Sequence, residues 1–319
     1  MTYTEEAKQE LIHLDSRWDC CRRAEICAAI LLSGGLSFRG AGRYGLSVNL
    51  KSLSASRYYF SLIKKYLGVT PLVSTLSTNR LGEQSGVELR FSDEDVDESM
   101  EKLMLRDENA LFGVASAPNP EIVKNPCCKA AFLKSAFLIT GYVSNPEKEY
   151  ALSISASSEE AAKCIRDICL SEGVNARIST NRSRYVVYTK SAEGVSTILS
   201  LMGAQGARLR LENVRIMKDI KNGTNRQTNC DNNNIERTIK SASTQMEDIR
   251  YIASALKSER IPDWAREIMS LRLENPDSSL QELGEMCDPP LTKSGVNNRL
   301  RRLSRLADSL REQNKAPKA

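Results

Sequence analysis

What most constrains the fold of this chain is that it repeats itself. The apolar, helix-like run "EICAAILLSGGLSFRG" (25–40) has a counterpart in "AAFLKSAFLITGYVSNPEK" (130–148), and each turns into a strand-like stretch at a glycine. The likeness continues through "RYGLSVNLKSLSASRYYFSLIKKYLGV" (43–69) and "EYALSISASSEEAAKCIRDICLSEGV" (149–174). Each of these reads as a strand with apolar alternation (Leu46, Val48, Leu50; Leu152, Ile154, Ala156), then a serine-rich helix start, then a helix ended by Gly68 or Gly173. The letters "STNR" recur at 77–80 and 179–182. A further strand ("GVELRF"; "RYVVYTK") and a closing helix ("DVDESMEKLMLRD"; "SAEGVSTILSLMG") complete each half. The repeats therefore run over about 20–115 and 126–205, and the fold class is α+β. Ala28, Ala29, Ser135 and Ala136 are small enough to let the two first helices approach closely, so that the sheets form one continuous surface.

At this point a resemblance emerges. "FLKSAFLITGYV" is similar to the LAGLIDADG motif of homing endonucleases, which implies a pseudo-twofold axis between the two helices and catalytic acids at their lower ends. Aligned without gaps, the acid before the closing glycine falls on Gly34 in the first copy and Thr140 in the second. Phosphodiester hydrolysis in such a fold needs paired carboxylates to hold Mg²⁺. Glycine offers no ligand and a threonine hydroxyl is neutral, so the expectation is a domain over residues 1–220 without nuclease activity or cofactor. Small residues and glycines also end ordinary helices. Alternation places Ser47, Asn49, Ser153 and Ser155 on the exposed side of their strands, with Arg80, Arg182 and Arg184 nearby, a surface suited to DNA, to a protein partner or to a purely architectural role.

Composition excludes other chemistries. With one histidine, His13, neither a His/Cys zinc site nor a Ser-His-Asp or Cys-His arrangement is expected. Nine cysteines without framework spacing read as reduced thiols of a cytoplasmic protein, and the adjacent pairs Cys20-Cys21 and Cys127-Cys128 read as buried thiols rather than metal ligands. No apolar run reaches membrane-spanning length, and the polar N-terminus is unlike a signal peptide.

The net charge of +5 is unevenly spread. Residues 83–121 are rich in carboxylates, whereas 291–319 hold Lys293, Arg299, Arg301, Arg302, Arg305, Arg311, Lys315 and Lys318 against Asp308 and Glu312. An electrostatic footprint for nucleic acid belongs there first. "KNGTNRQTNCDNNN" (221–234) reads as a polar linker, followed from Asn232–Asn234 by a helix with Ile235, Ile239, Met246, Ile249, Ile252 and Leu256 on one side.

Three short helices follow within the all-α region 235–319. Pro262 opens the first, with Trp264, Ile268 and Leu271 as its stripe, and Asn275-Pro276 ends it. Ser279 to Glu282 is a capping-box pattern for the second, with Leu280, Leu283 and Met286 inward, and "DPPLTK" supplies the turn. The third starts near Ser294 and buries Val296, Leu300, Leu303, Ala307 and Leu310. Its opposite face presents Ser294, Asn298, Arg301 and Arg305, flanked by Arg302. Short hydrogen-bonding groups ahead of long cations suit a major-groove helix, so a helix-turn-helix for double-stranded DNA is expected, using Thr292, Lys293, Ser294, Asn297, Asn298, Arg299, Arg301, Arg302 and Arg305. A solvated basic face is the plainer alternative.

The two halves together resemble the WhiA family of bacterial regulators over nearly the whole chain, above all in "NCDNNNIERTIKSASTQMEDIRYI" and "LTKSGVNNRLRRL". The resemblance implies a nucleoid-associated transcription regulator connected with sporulation, or with cell division and chromosome organisation, and a regulatory or division protein as a further partner.

Overall fold

The computed structural model describes residues 1–40, 43–76, 86–108, 110, 112–181, 184–257 and 260–315. The chain divides into two compact units, Met1–Lys218 and Asp219–Ala319.

In the first unit, helix α1 (Tyr3–Ile12) precedes one run of elements used twice. The first copy is α2 (Asp19–Ser33), β1 (Leu36–Gly40), β2 (Arg43–Leu50), α3 (Leu53–Leu67), β3 (Leu72–Leu76), β4 (Gly86–Arg90) and α4 (Asp93–Lys102). The second is α5 (Pro126–Thr140), β5 (Gly141–Val143), β6 (Leu152–Ala156), α6 (Glu159–Ser171), β7 (Arg177–Asn181), β8 (Arg184–Thr189) and α7 (Ala192–Met202). Each copy builds an antiparallel sheet of the same order, β1-β2-β4-β3 and β5-β6-β8-β7. Leu46, Val48, Leu50, Leu152, Ile154 and Ala156 are all buried, as their alternation predicts. Ser52 and Ser158 accept hydrogen bonds from Ala55 and Ala161 to cap α3 and α6, and Gly68 and Gly173 take left-handed φ values of 76° and 77° beyond those helices.

One strand residue departs from expectation. Ser47, assigned to the exposed side, is buried, because β2 is a central strand and its backbone at Ser47 closes against Gly35. A Cβ at Gly35 would lie 1.5 Å from the Ser47 carbonyl oxygen, so the closing glycine of the first motif is fixed by contact. Arg80 and Arg182 lie outside the described residues.

Helices α2 and α5 pack along the middle of this unit, with Ala28, Ala29, Ser135 and Ala136 fully buried. The Ser135 hydroxyl donates to the Glu25 carbonyl at 2.6 Å, which requires close backbone approach. Beside it the Lys134 ammonium lies 3.3 Å from the Glu25 carboxylate and also donates to Tyr58 at 2.8 Å and to the Leu14 carbonyl at 2.6 Å. Tyr58 and Ser16 donate to the same carboxylate. A charge pair with its hydrogen-bonding capacity filled in this way can sit in a core.

Helix α8 (Gln205–Ala255) contains the unit boundary. Residues 221–234 are therefore helical and not an irregular linker, and Asn232–Asn234 sit inside the helix rather than at its start. Every one of these fourteen positions is exposed, so no face of the helix had to be apolar and the helical period never appeared in the sequence. Ile235 and Ile239 likewise stay 57% and 63% exposed; the buried stripe begins only at Ala242 and continues through Ile249 and Ile252.

The rest of the second unit comprises α9 (Asp263–Glu274), α10 (Leu280–Glu285) and α11 (Lys293–Lys315). Ile249, Ile252, Ile268, Leu283, Val296, Leu300, Leu303 and Ala307 share one core. Met286 is 48% exposed rather than inward, because α10 ends at Glu285 and Cys287 fills the core position. No helix among the described residues is long and apolar enough to cross a membrane.

Candidate nucleic-acid interface

Two places could meet nucleic acid. The first is the cleft at the C-terminal ends of α2 and α5, where a LAGLIDADG nuclease would carry its acids. Gly34 is the left-handed cap of α2, with φ 75°. Thr140 ends α5, and its hydroxyl donates to the Ser155 carbonyl at 2.7 Å, tying the helix to β6. The cavity there, about 500 Å³, is lined by Lys8, Lys51 and Arg184 together with Ser33, Asn49, Thr140 and Ser155. None of its described lining residues is a carboxylate. Burial and the neighbouring Lys51 push Lys8 down to about 8. Such a donor set suits an anion and offers no hard oxygen cage for Mg²⁺.

The second place is α11. Its position is set locally by a turn that sequence pattern alone outlines. Ser279 accepts from the Glu282 backbone while the Glu282 carboxylate accepts from Ser279 at 2.7 Å, the reciprocal box that starts α10. Gly284 lets the turn fold back: a Cβ there would meet the Leu291 carbonyl oxygen at 2.2 Å, and the Leu291 amide donates to Gly284 at 2.8 Å. Thr292 then accepts from the Gly295 amide at 3.2 Å, capping α11 one residue earlier than the apolar period suggests.

The nine residues expected to contact DNA separate by environment. Lys293, Ser294, Asn298, Arg301 and Arg305 are exposed. Thr292 is also exposed, but its hydroxyl already serves as the helix cap. Asn297 is half-buried. Arg302, though exposed, lies over the Trp264 ring at 4.2 Å. Arg299 is turned the other way. Its guanidinium pairs with Glu267 at 2.9 Å, and the same carboxylate accepts from the Asp288 amide at 2.7 Å. Those bonds, the Asp288 amide first, hold the Glu267 carboxyl below the usual carboxylate range. Arg299 thus braces α11 and the preceding turn against α9.

Two supports escaped sequence reasoning. Arg311 pairs with the buried Asp248 of α8 at 2.8 Å, and the buried Arg272 donates to Gln245 at 3.0 Å and to the Ser278 carbonyl at 2.7 Å. Asp248 and Gln245 are distant in sequence from the arginines they meet, and no local spacing signals them. Lys318 lies outside the described residues.

Three family models match successive parts of the chain. The WhiA N-terminal LAGLIDADG-like domain matches residues 19–105, the WhiA LAGLIDADG-like domain 129–221, and the WhiA C-terminal HTH domain 224–307. "Probable cell division protein WhiA" of Heliobacterium modesticaldum is 35% identical, covering 100% of this chain and 99% of that protein. The protein of the same name from Brevibacillus brevis is 36% identical, covering 98% of each. The crystal structure of full-length DUF199/WhiA from Thermatoga maritima shares the fold, with a TM-score of 0.60 at 24% identity over 97% of this chain and 99% of that one. With a duplicated LAGLIDADG-like unit, a helix-turn-helix unit and relatives matched end to end, the chain belongs to the WhiA family.

Proposed function

We propose that this chain is a sequence-specific, double-stranded-DNA-binding transcription regulator with a role in cell division and no enzymatic activity. The observation that carries the reading is the exposed face of α11, where Ser294 and Asn298 stand ahead of Arg301 and Arg305 while Arg299 and Arg302 are engaged against α9. Short polar groups near the helix start reach base edges, and the two free-standing arginines further on meet phosphates. The names of the relatives support the link to division. Sporulation, chromosome organisation and a cytoplasmic, nucleoid-associated location are finer parts of the same reading. The lack of a carboxylate among the described lining residues of the cleft beside Thr140, and at Gly34 and Thr140 themselves, supports the absence of nuclease chemistry.

The test is the salt dependence of binding by the full chain. Replacing Arg301 and Arg305 together by alanine should weaken specific and random duplexes alike, and should flatten the slope of log affinity against log salt by about 0.9 for each phosphate that is no longer neutralised. An unchanged slope would remove the phosphate role from this face.

A second reading has its own observation. Helix α4 exposes Asp93, Glu94, Asp97, Glu98 and Glu101, an acidic face that suits a basic protein partner better than DNA. On this reading the first unit recruits another regulator or a division protein, and DNA contact is secondary. A pull-down that loses a specific partner when these acids are neutralised, with DNA binding intact, would favour it.

A further inference from the structure

The two cysteine pairs, far apart in sequence, meet. Cys20 and Cys21 are the second and third residues of α2, and Cys127 and Cys128 are the second and third residues of α5. The repeat therefore supplies the same two positions twice, once from each side of its axis. All four sulfurs lie within 4.8 Å of one another, and the Cys127 and Cys128 sulfurs are 3.9 Å apart.

That spacing is informative. Zn–S bonds of about 2.3 Å place the thiolates of a tetrahedral site about 3.8 Å apart. A four-iron cluster holds its cysteine sulfurs much farther apart, because each binds a different iron. Two disulfides would need only two close pairs, whereas here every sulfur is close to every other. All-thiolate donors in tetrahedral reach select a soft or borderline ion, and four protein ligands leave no open position for catalysis.

The surroundings agree. Both pairs sit in the first turn of a helix, where the positive end of the dipole favours thiolate. Cys21 and Cys128 are buried, Cys20 is half-buried and Cys127 is exposed, so the cluster is enclosed yet reachable. A cavity of about 270 Å³ opens beside Cys21 and Cys127.

We infer that Cys20, Cys21, Cys127 and Cys128 form a structural Zn²⁺ site that ties together the N-terminal ends of α2 and α5. This replaces the expectation that these pairs are simply buried thiols. The site lies at the end of the paired helices opposite Gly34 and Thr140. The fold thus carries a soft-metal staple at one end and none of the hard-metal ligands of a nuclease among the described residues at the other. Binding releases the thiol protons and stabilises the native state by mass action.

The experiment uses the full chain, purified under reducing, oxygen-free conditions and stripped of metal. Thiol titration in denaturant should then find all nine cysteines free. Adding Co²⁺ as a probe should give, at one equivalent, the visible bands of a tetrahedral ion and the near-ultraviolet charge transfer of thiolate ligands, and one equivalent of Zn²⁺ should displace it. Replacing Cys20 and Cys127 by serine should sharply reduce the charge transfer, and Zn²⁺ affinity should fall by more than the roughly 10- to 100-fold that loss of a supporting partner gives. Cys127→Ser alone, at an exposed position, should keep the native circular dichroism while weakening the thiolate charge transfer and shifting the visible bands. Cys230→Ser, exposed and outside the cluster, should bind as the parent does. No thiolate charge transfer in the full chain, undiminished binding by the double variant, or fewer than nine free thiols under these conditions would each overturn the site.

Discussion

In the first unit Lys134 and Glu25 face each other with 6% and 0% of their side chains exposed, and Tyr58, Ser16 and the Leu14 carbonyl complete their hydrogen bonds. In the second unit Arg301 and Arg305 stand in solvent, and the groups behind them, Arg299 on Glu267 and Arg302 on Trp264, hold the helix that presents them. At the seam of α2 and α5 the charged pair is turned inward, where it fixes how two helices meet. On α11 Arg301 and Arg305 are turned outward, where they can meet a partner. On the function proposed above, the LAGLIDADG-like unit serves through its packing, and contact with nucleic acid falls to α11.

The strongest challenge to this contrast is made in the seam. Lys134→Ala leaves the Glu25 carboxylate buried without its counter-charge and should destabilise the first unit by about 3–5 kcal/mol. The chain has two tryptophans, Trp18 in the first unit and Trp264 in the second. Denaturant unfolding of Lys134→Ala in a Trp264→Phe background, followed by Trp18 fluorescence, reads the first unit alone. A midpoint equal to that of the background would mean the pair contributes nothing to the packing.

A smaller effect belongs to the second unit. Ser279→Ala removes the exposed half of the capping box of α10 and should cost about 1 kcal/mol, seen as a lower urea midpoint in the Trp264 signal. A shift in the Trp18 signal instead would contradict the assignment of this cap to the second unit's own stability.

Divalent metal should produce no effect on DNA at all. Supercoiled DNA incubated with the protein and Mg²⁺ or Mn²⁺ should not be nicked, because neither Gly34 nor Thr140 offers a carboxylate and the described lining of the cleft holds Lys8, Lys51 and Arg184 instead. Reproducible metal-dependent nicking, abolished by changing a nearby acid, would return the first unit to the nucleases.

How far each unit was legible in the sequence follows from the same contrast. Burial imposes period, so Leu46, Val48 and Leu50 announced their strand, and Val296, Leu300, Leu303 and Ala307 announced the buried face of α11. Residues 221–234 are exposed on every side and left no period to read, although they are helical. Pairings across long stretches of chain were equally silent: Glu25 with Lys134, Glu267 with Arg299, and Cys20-Cys21 with Cys127-Cys128. The sequence announces which residues are polar or reactive. Topology decides which of them meet, and thereby sorts the α11 residues into those braced against α9 and those left to face outward.

Whether the outward face of α11 reads bases is decided at Asn298. This residue lies on the exposed side, opposite Val296 and Leu300, where its amide can pair with both N6 and N7 of an adenine, an interaction of about 1–3 kcal/mol in discrimination. The measurement is a gel shift of the full chain and of Asn298→Ala on the preferred duplex and on a scrambled one at matched salt. A base-reading helix should show a loss of about 5- to 150-fold on the preferred duplex and almost none on the scrambled one. Equal losses on both duplexes would contradict that role and leave α11 a basic helix that holds phosphates without reading sequence.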